Sequence, residues 1–168
     1  SRAITATALM LAVQDGVLVL DRPITNYLPD LKLNSRYEEH PESRITLRHL
    51  LSNTAGLPVE APWGNHFEPS PTLSFEDHVK SLYGTWLVFP VGEAFQISNA
   101  ASDLAAYILQ ITAHKPFEQY LSEQVFGPLG MSRTTVDRAV ILSATNRAVG
   151  SMLGLSKMPA VWPGLGAG

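Results

Sequence analysis

The sequence has no cysteine and little charge of either sign. Of its 168 residues, 16% are charged, and the formal net charge at pH 7 is −3. The missing thiols exclude disulfides, thiolate zinc sites and cysteine nucleophiles, and the five histidines are scattered without metal-ligand spacing, so we expect no metal and no other cofactor. No two Lys or Arg residues are adjacent, which predicts that the chain does not bind nucleic acid.

Long hydrophobic runs are also missing. The longest near the N-terminus covers residues 8–13, far short of the roughly 20 residues that cross a bilayer, so we expect no membrane span. The chain starts with Ser1 and Arg2 close to a helical pattern and stops in the glycine-rich segment 164–168. Both ends resemble cuts through a larger domain. We therefore expect residues 1–168 to be a single helical domain that is a truncated part of that larger one. The sequence does not indicate the cellular compartment in which the protein works.

Helical periodicity dominates what remains. Hydrophobic residues make up 45% of the chain, as in folded globular domains. Apolar residues recur at helical spacing in about five segments, whereas strand-like runs are short, so the predicted fold class is mainly α. The predicted helices cover residues 4–15, the segment capped by Thr46, and the segments that begin near Ser74, at Ser98 or Asn99, and at Pro116; the strand-like runs are residues 17–20 and 136–142.

Other segments carry more specific expectations. Residues 4–15 are apolar on nearly every face, which predicts a buried helix near the domain centre. Prolines recur in a long loop at 58–73, and loops of that length are uncommon unless they line a site or stay mobile. Trp63, Trp86 and Trp162 are interpreted as packing anchors.

Four stretches together resemble one enzyme family. Their order and spacing are similar to those of the serine β-lactamase-related hydrolases, which include class C β-lactamases, D-alanyl-D-alanine peptidases and esterase relatives. The resemblance implies the helical domain of a β-lactamase/transpeptidase-like fold, without most of its antiparallel sheet. It also implies a small-molecule ester, β-lactam or peptide substrate for the parent protein. The stretches are ITATALMLAVQDGVLVLDRPITNYLP (4–29), ITLRHLLSNTAGL (45–57), FPVGEAFQISNAASDLAAYIL (89–109) and PFEQYLSEQVFGPLGM (116–131).

Members of this family use three motifs. Ser-x-x-Lys supplies the nucleophile and its basic partner, Tyr-x-Asn supplies a proton-transfer group and a substrate-binding amide, and a Lys/His-Thr/Ser-Gly strand lines the site. A serine hydroxyl needs such a base because it is a weak nucleophile by itself. The tetrahedral oxyanion needs fixed hydrogen-bond donors.

The resemblance places three residues of this chain at catalytic positions. Arg2 stands at the Lys position, so the serine is expected three residues before it, outside these 168 residues. Ile97 stands at the Tyr position, and Asn99 keeps the Asn. A guanidinium stays protonated and cannot act as a base, and an aliphatic side chain cannot transfer a proton. We therefore expect residues 1–168 to be inactive by themselves.

Alternative interpretations remain for these residues and for the whole chain. Asn99 is also a good helix N-cap, and His49, between leucines, is more simply a packing or hydrogen-bonding residue than a ligand. The chain is alternatively a non-catalytic module, a pseudoenzyme that binds a ligand or partner. Without a sheet to cover it, the apolar face near residues 4–13 favours self-association into a homo-oligomer.

Overall fold

The computed structural model describes residues 1–64, 72–147, 151–152 and 156–157. Within these ranges the fold is mainly helical, as predicted, and no helix has the length and apolarity that crossing a membrane requires. The α-helices are α1 (Arg2–Gln14), α2 (Leu47–Leu51), α3 (Phe75–Lys80), α4 (Asn99–Thr112), α5 (Phe117–Leu121) and α6 (Arg138–Ser143). Short 3-10 turns at Ile24–Asn26 and Pro41–Ser43 separate α1 from α2, and a π-helical turn at Ser122–Phe126 continues α5.

Helix α4 occupies the centre of the domain. Ten of its 14 residues are buried, and it packs against α1, α2, α3 and α5. Helix α1 is buried on one face only, through Thr5, Ala8, Leu9 and Ala12, while Met10 is 45% exposed. The prediction that the first helix is central was therefore wrong. An almost uninterrupted apolar sequence does not say which of its faces a partner covers.

The strand predictions also failed. Residues 136–142 were expected to form a strand, but most of them form α6, because the Asp137 carboxylate accepts hydrogen bonds from the N–H groups of Ala139 and Val140 and caps the helix. Residues 17–20 form no strand either. Among the described residues, β1 (Ser151–Met152) and β2 (Ser156–Lys157) pair antiparallel as a minimal hairpin.

Polar caps set the predicted helix starts. The hydroxyl oxygens of Thr46, Ser74 and Ser98 accept hydrogen bonds from backbone N–H groups at the starts of α2, α3 and α4. In α2 the cap is reciprocal, because Nδ1 of His49 accepts from the Thr46 N–H at 3.2 Å. This confirms the hydrogen-bonding interpretation of His49. Burial, with a smaller effect of the Arg44 charge, lowers the pKa of the His49 imidazole.

Two tryptophans do not pack as predicted. Trp63 is 61% exposed and Trp86 is 55% exposed, so neither ring anchors the core. The guanidinium of Arg36 lies 5.7 Å from the centre of the Trp86 ring instead. Trp162 lies outside the described residues.

The segment after α2 is fixed against the segment before α4. The Val88 N–H donates to the Gly56 carbonyl and the Gly92 N–H to the Thr54 carbonyl, both at 2.8 Å. Gly56 has a φ of +76°, and a Cβ atom there would lie 2.3 Å from the Phe89 carbonyl oxygen. Only glycine fits this contact, because both the conformation and the space exclude a side chain. Residues 54–56 are thereby held against residues 87–92.

The Gly56 contact yields a stability prediction. Gly56→Ala should lower the free energy of unfolding by about 3 kcal/mol, because the left-handed conformation and the backbone clash both add to the cost. Gly16→Ala is the matched control, since Gly16 has a φ of +73° but nothing within 4 Å of an added Cβ. It should cost only about 1 kcal/mol. Urea denaturation of the three proteins measures both changes, and equal losses would contradict the clash.

Candidate functional site

The starts of α1 and α4 meet at one point of the surface. There the guanidinium Nη2 of Arg2 donates a hydrogen bond to the amide Oδ1 of Asn99, although 97 positions separate the two residues. Arg2 is exposed and Asn99 is half-buried. Two of the three residues that the sequence placed in a site are thus in direct contact.

Glu60 completes this cluster, and sequence reasoning did not single it out. The Asn99 Nδ2 donates to the Glu60 Oε1 at 2.6 Å. A cation donor on one side and a carboxylate acceptor on the other fix which end of the amide is oxygen and which is nitrogen. The only sequence signal for Glu60 was its place in the 58–73 loop, of which residues 58–64 and 72–73 are described.

Backbone hydrogen bonds hold the same loop to the first turn of α4. The Val59 carbonyl accepts from the Asn99 N–H at 2.7 Å and from the Ala100 N–H at 3.2 Å. The Ser98 hydroxyl donates to the Pro58 carbonyl at 2.6 Å and accepts from the Ala101 N–H at 2.9 Å. Ser98, not Asn99, is therefore the N-cap, and the capping interpretation of Asn99 was wrong. The Asn99 side chain is directed to Arg2 and Glu60 instead.

Ile97 lies beside the cluster and supplies no polar group to it. It is 50% exposed and precedes Asn99 by two positions, and Phe95 nearby in sequence is 66% exposed. The segment that enters α4 therefore presents apolar surface next to a polar cluster. Such a combination suits a ligand with one apolar part and one hydrogen-bonding part.

The described cluster can bind and orient a ligand but lacks an activated hydroxyl. Arg2 is a permanent cation and cannot accept a proton at neutral pH. The adjacent Ser98 is only 2% exposed, and capping and the Pro58 carbonyl engage its hydroxyl. Within the described ranges, no group of three or more histidine or acidic side chains could hold a metal ion.

A family model described as "Beta-lactamase" matches residues 1–165. The chain belongs to the beta-lactamase family. This confirms the family that the sequence motifs indicated.

Individual relatives in the beta-lactamase family are longer than this chain. It is 32% identical over 138 residues to the D-alanyl-D-alanine-carboxypeptidase/endopeptidase AmpH of Escherichia coli K12, and the match covers 80% of this chain but 34% of that protein. It is 28% identical over 135 residues to Protein flp of Staphylococcus aureus MW2, with 80% of this chain and 26% of the relative covered. The chain thus spans about a quarter to a third of the length of these relatives.

A solved structure of a beta-lactamase-family protein has a similar fold. The fold superposes on the beta-lactamase/D-alanine carboxypeptidase from Yersinia pestis, a structure complexed with citrate, with a TM-score of 0.67 and 32% identity. That match covers 80% of this chain and 38% of the solved chain. The described helices therefore have the arrangement found in that beta-lactamase/D-alanine carboxypeptidase.

Removing the Glu60 acceptor tests the geometry of the cluster. Glu60→Ala should speed solvent exchange of the Asn99 side-chain amide protons, followed by NMR, and lower stability by roughly 1 kcal/mol, since a charge-assisted hydrogen bond is lost. Glu60→Gln keeps an oxygen acceptor and is the matched control. Identical amide exchange in the two variants would show that Glu60 does not hold Asn99.

Proposed function

We propose that this chain is the helical part of a serine hydrolase of the β-lactamase/penicillin-binding-protein type and forms one wall of its substrate cleft. In the parent protein, acyl transfer to serine is followed by hydrolysis of a β-lactam, a D-alanyl peptide or a short ester. The observation that carries the proposal is the contact between Arg2 and Asn99, because the sequence resemblance assigns the family's Lys and Asn to these two positions. Membership of the family supports the reaction class.

Each of the three residues receives a role by its position. The Asn99 amide binds a carbonyl or amide of the substrate. Arg2 replaces the basic Lys and acts as a fixed hydrogen-bond donor, since its guanidinium stays protonated. Ile97 replaces the Tyr and offers only apolar contact. Glu60 and residues 58–64 form the rim of the cleft.

The remaining machinery is proposed to lie outside residues 1–168. The nucleophilic serine belongs three positions before Arg2, and the third motif belongs to a sheet that packs against these helices as part of one larger domain. Residues 1–168 by themselves are therefore inert, because a hydroxyl without a neighbouring base does not form an acyl-enzyme.

A direct assay tests this inertness. Incubation of the 168-residue chain with nitrocefin and with p-nitrophenyl butyrate should give no turnover and no covalent serine adduct in the intact mass. A serine adduct would refute the proposal as stated for this chain. We also expect the source gene to encode a serine three positions before Arg2.

A gain-of-function experiment tests the assigned positions. In a chain extended by the flanking segments of its own gene, Arg2→Lys with Ile97→Tyr should raise nitrocefin or ester turnover about a hundredfold, the lower end of what general acid–base catalysis supplies. The same double substitution in residues 1–168 alone is the control and should give no turnover. No gain in the extended chain would contradict the roles given to positions 2 and 97.

A second candidate function is a non-catalytic module that self-associates. Helix α1 favours it, because Met10, Leu11 and Val13 line a shallow apolar depression on the side of α1 that faces solvent. A second copy of the chain could cover this face. Sedimentation velocity should then show a dimer or larger species that Met10→Lys converts to a monomer. A monomer at all concentrations would remove this candidate.

A further inference from the structure

Beneath the rim loop lies a buried histidine that faces two hydrogen-bond acceptors. His78, in α3, is 2% exposed. Its Nδ1 lies 2.7 Å from the Trp63 carbonyl oxygen and its Nε2 lies 3.2 Å from the Asp103 Oδ2. A carbonyl cannot donate, and neither can an ionised carboxylate, whereas a neutral imidazole carries only one N–H. Only the doubly protonated ring donates to both neighbours.

The charges around His78 support the imidazolium. The charged groups that face it among the described residues are Asp103 of α4, 3% exposed, and Glu60 of the loop, which acts at longer range. Burial opposes the charged form. The hydrogen bond and charge of Asp103, with smaller contributions from the Trp63 carbonyl and Glu60, outweigh burial and raise the pKa of His78.

The same histidine ties the loop to two helices. The Trp63 N–H donates to the Ser81 hydroxyl at 3.2 Å, and that hydroxyl donates to the His78 carbonyl at 2.6 Å. Trp63 is thus held at both its N–H and its carbonyl. Asp103 follows Asn99 by one helical turn, so both lie on the same side of α4. Residues 58–64 are therefore fixed to one face of α4, through Asn99 at one end and through Asp103 and His78 at the other.

We propose that the His78 imidazolium is a clamp that holds residues 58–64 against α4, and that the rim of the cleft loosens when His78 loses its proton. His78 is then a positioning residue, since it reaches the cleft only through the loop that carries Glu60. The clamp itself depends on the contacts above. Its effect on a substrate rests on the proposed function.

The direction of the pH effect follows from proton linkage. Because folding raises the pKa of His78, its stabilisation is complete below the ordinary histidine value of about 6.5 and is lost as the pH rises through the higher folded value. His49 acts in the opposite direction, since its pKa is lowered in the folded chain. The pH dependence of the global free energy of unfolding is the sum of the two effects, so a measurement local to His78 is required.

NMR of the 168-residue chain makes that measurement. At pH 6 both ring nitrogens of His78 should carry protons. As the ring titrates, the amide exchange rate of Trp63, corrected for intrinsic pH dependence, should rise about tenfold, while that of Leu109 in α4 should not change. His114→Asn is the control variant, because it removes an exposed histidine far along the chain and should leave this profile unaltered. A single ring proton on His78 at pH 6 would overturn the proposed clamp. An amide exchange rate of Trp63 that stays constant while His78 titrates would overturn it as well.

Asp103→Asn separates the clamp from simple packing. The substitution keeps the size and an acceptor oxygen but removes the charge, so the titration midpoint of His78 should fall below the ordinary histidine value, because burial, the largest influence on the ring, is then opposed only by the weaker effects of the Trp63 carbonyl and Glu60. Exchange at Trp63 should become fast already at neutral pH. An unchanged midpoint would overturn the proposal. These readouts need no substrate, so their failure is distinct from failure of the proposed hydrolase role.

Discussion

The unpaired N–H groups at the start of α4 are the constraint on which the rest of the site depends. The first turn of any helix leaves such donors without partners inside the helix. Here the Ser98 hydroxyl and the Val59 carbonyl satisfy three of them, those of Asn99, Ala100 and Ala101. The same bonds bring residues 58–60 alongside the helix. The hydrogen bonds that cap α4 therefore also fix the position of residues 58–60.

That coupling explains why Asn99 has partners on both sides. Its amide oxygen accepts from Arg2 and its amide nitrogen donates to Glu60, and each of the two atoms can make one further hydrogen bond. The Arg2 contact is at an exposed side chain, where water competes and the net free energy is small. The Glu60 contact is half-buried and charge-assisted. Of the two contacts, the one with Arg2 is thus the easier to break, and its loss leaves the amide oriented by Glu60.

The sequence was sufficient for what local patterns encode. Capping hydroxyls and helical spacing located most helix starts, and the motif register predicted that Arg2 and Asn99 lie close together. It was not sufficient for contacts between distant segments. Glu60 lies 39 positions from Asn99, and His78 lies 25 from Asp103, so no local period joins either pair. Residues 136–142 failed for the converse reason, because a single cap at Asp137 outweighed an apolar run that resembles a strand.

The presence of the buried His78–Asp103 pair follows from the loop rather than from the helices. Two apolar side chains between α3 and α4 would avoid the cost of removing charges from water, and such replacements commonly stabilise a core. They would also leave the Trp63 carbonyl, 2.7 Å from the ring, without its donor. An unmet buried acceptor costs about 1–3 kcal/mol. Once the imidazole donates from Nδ1 to that carbonyl, its Nε2 faces the Asp103 carboxylate of α4, which favours a proton on that nitrogen and accepts its hydrogen bond. The loop backbone thus accounts for His78, and Asp103 accounts for the second proton on its ring.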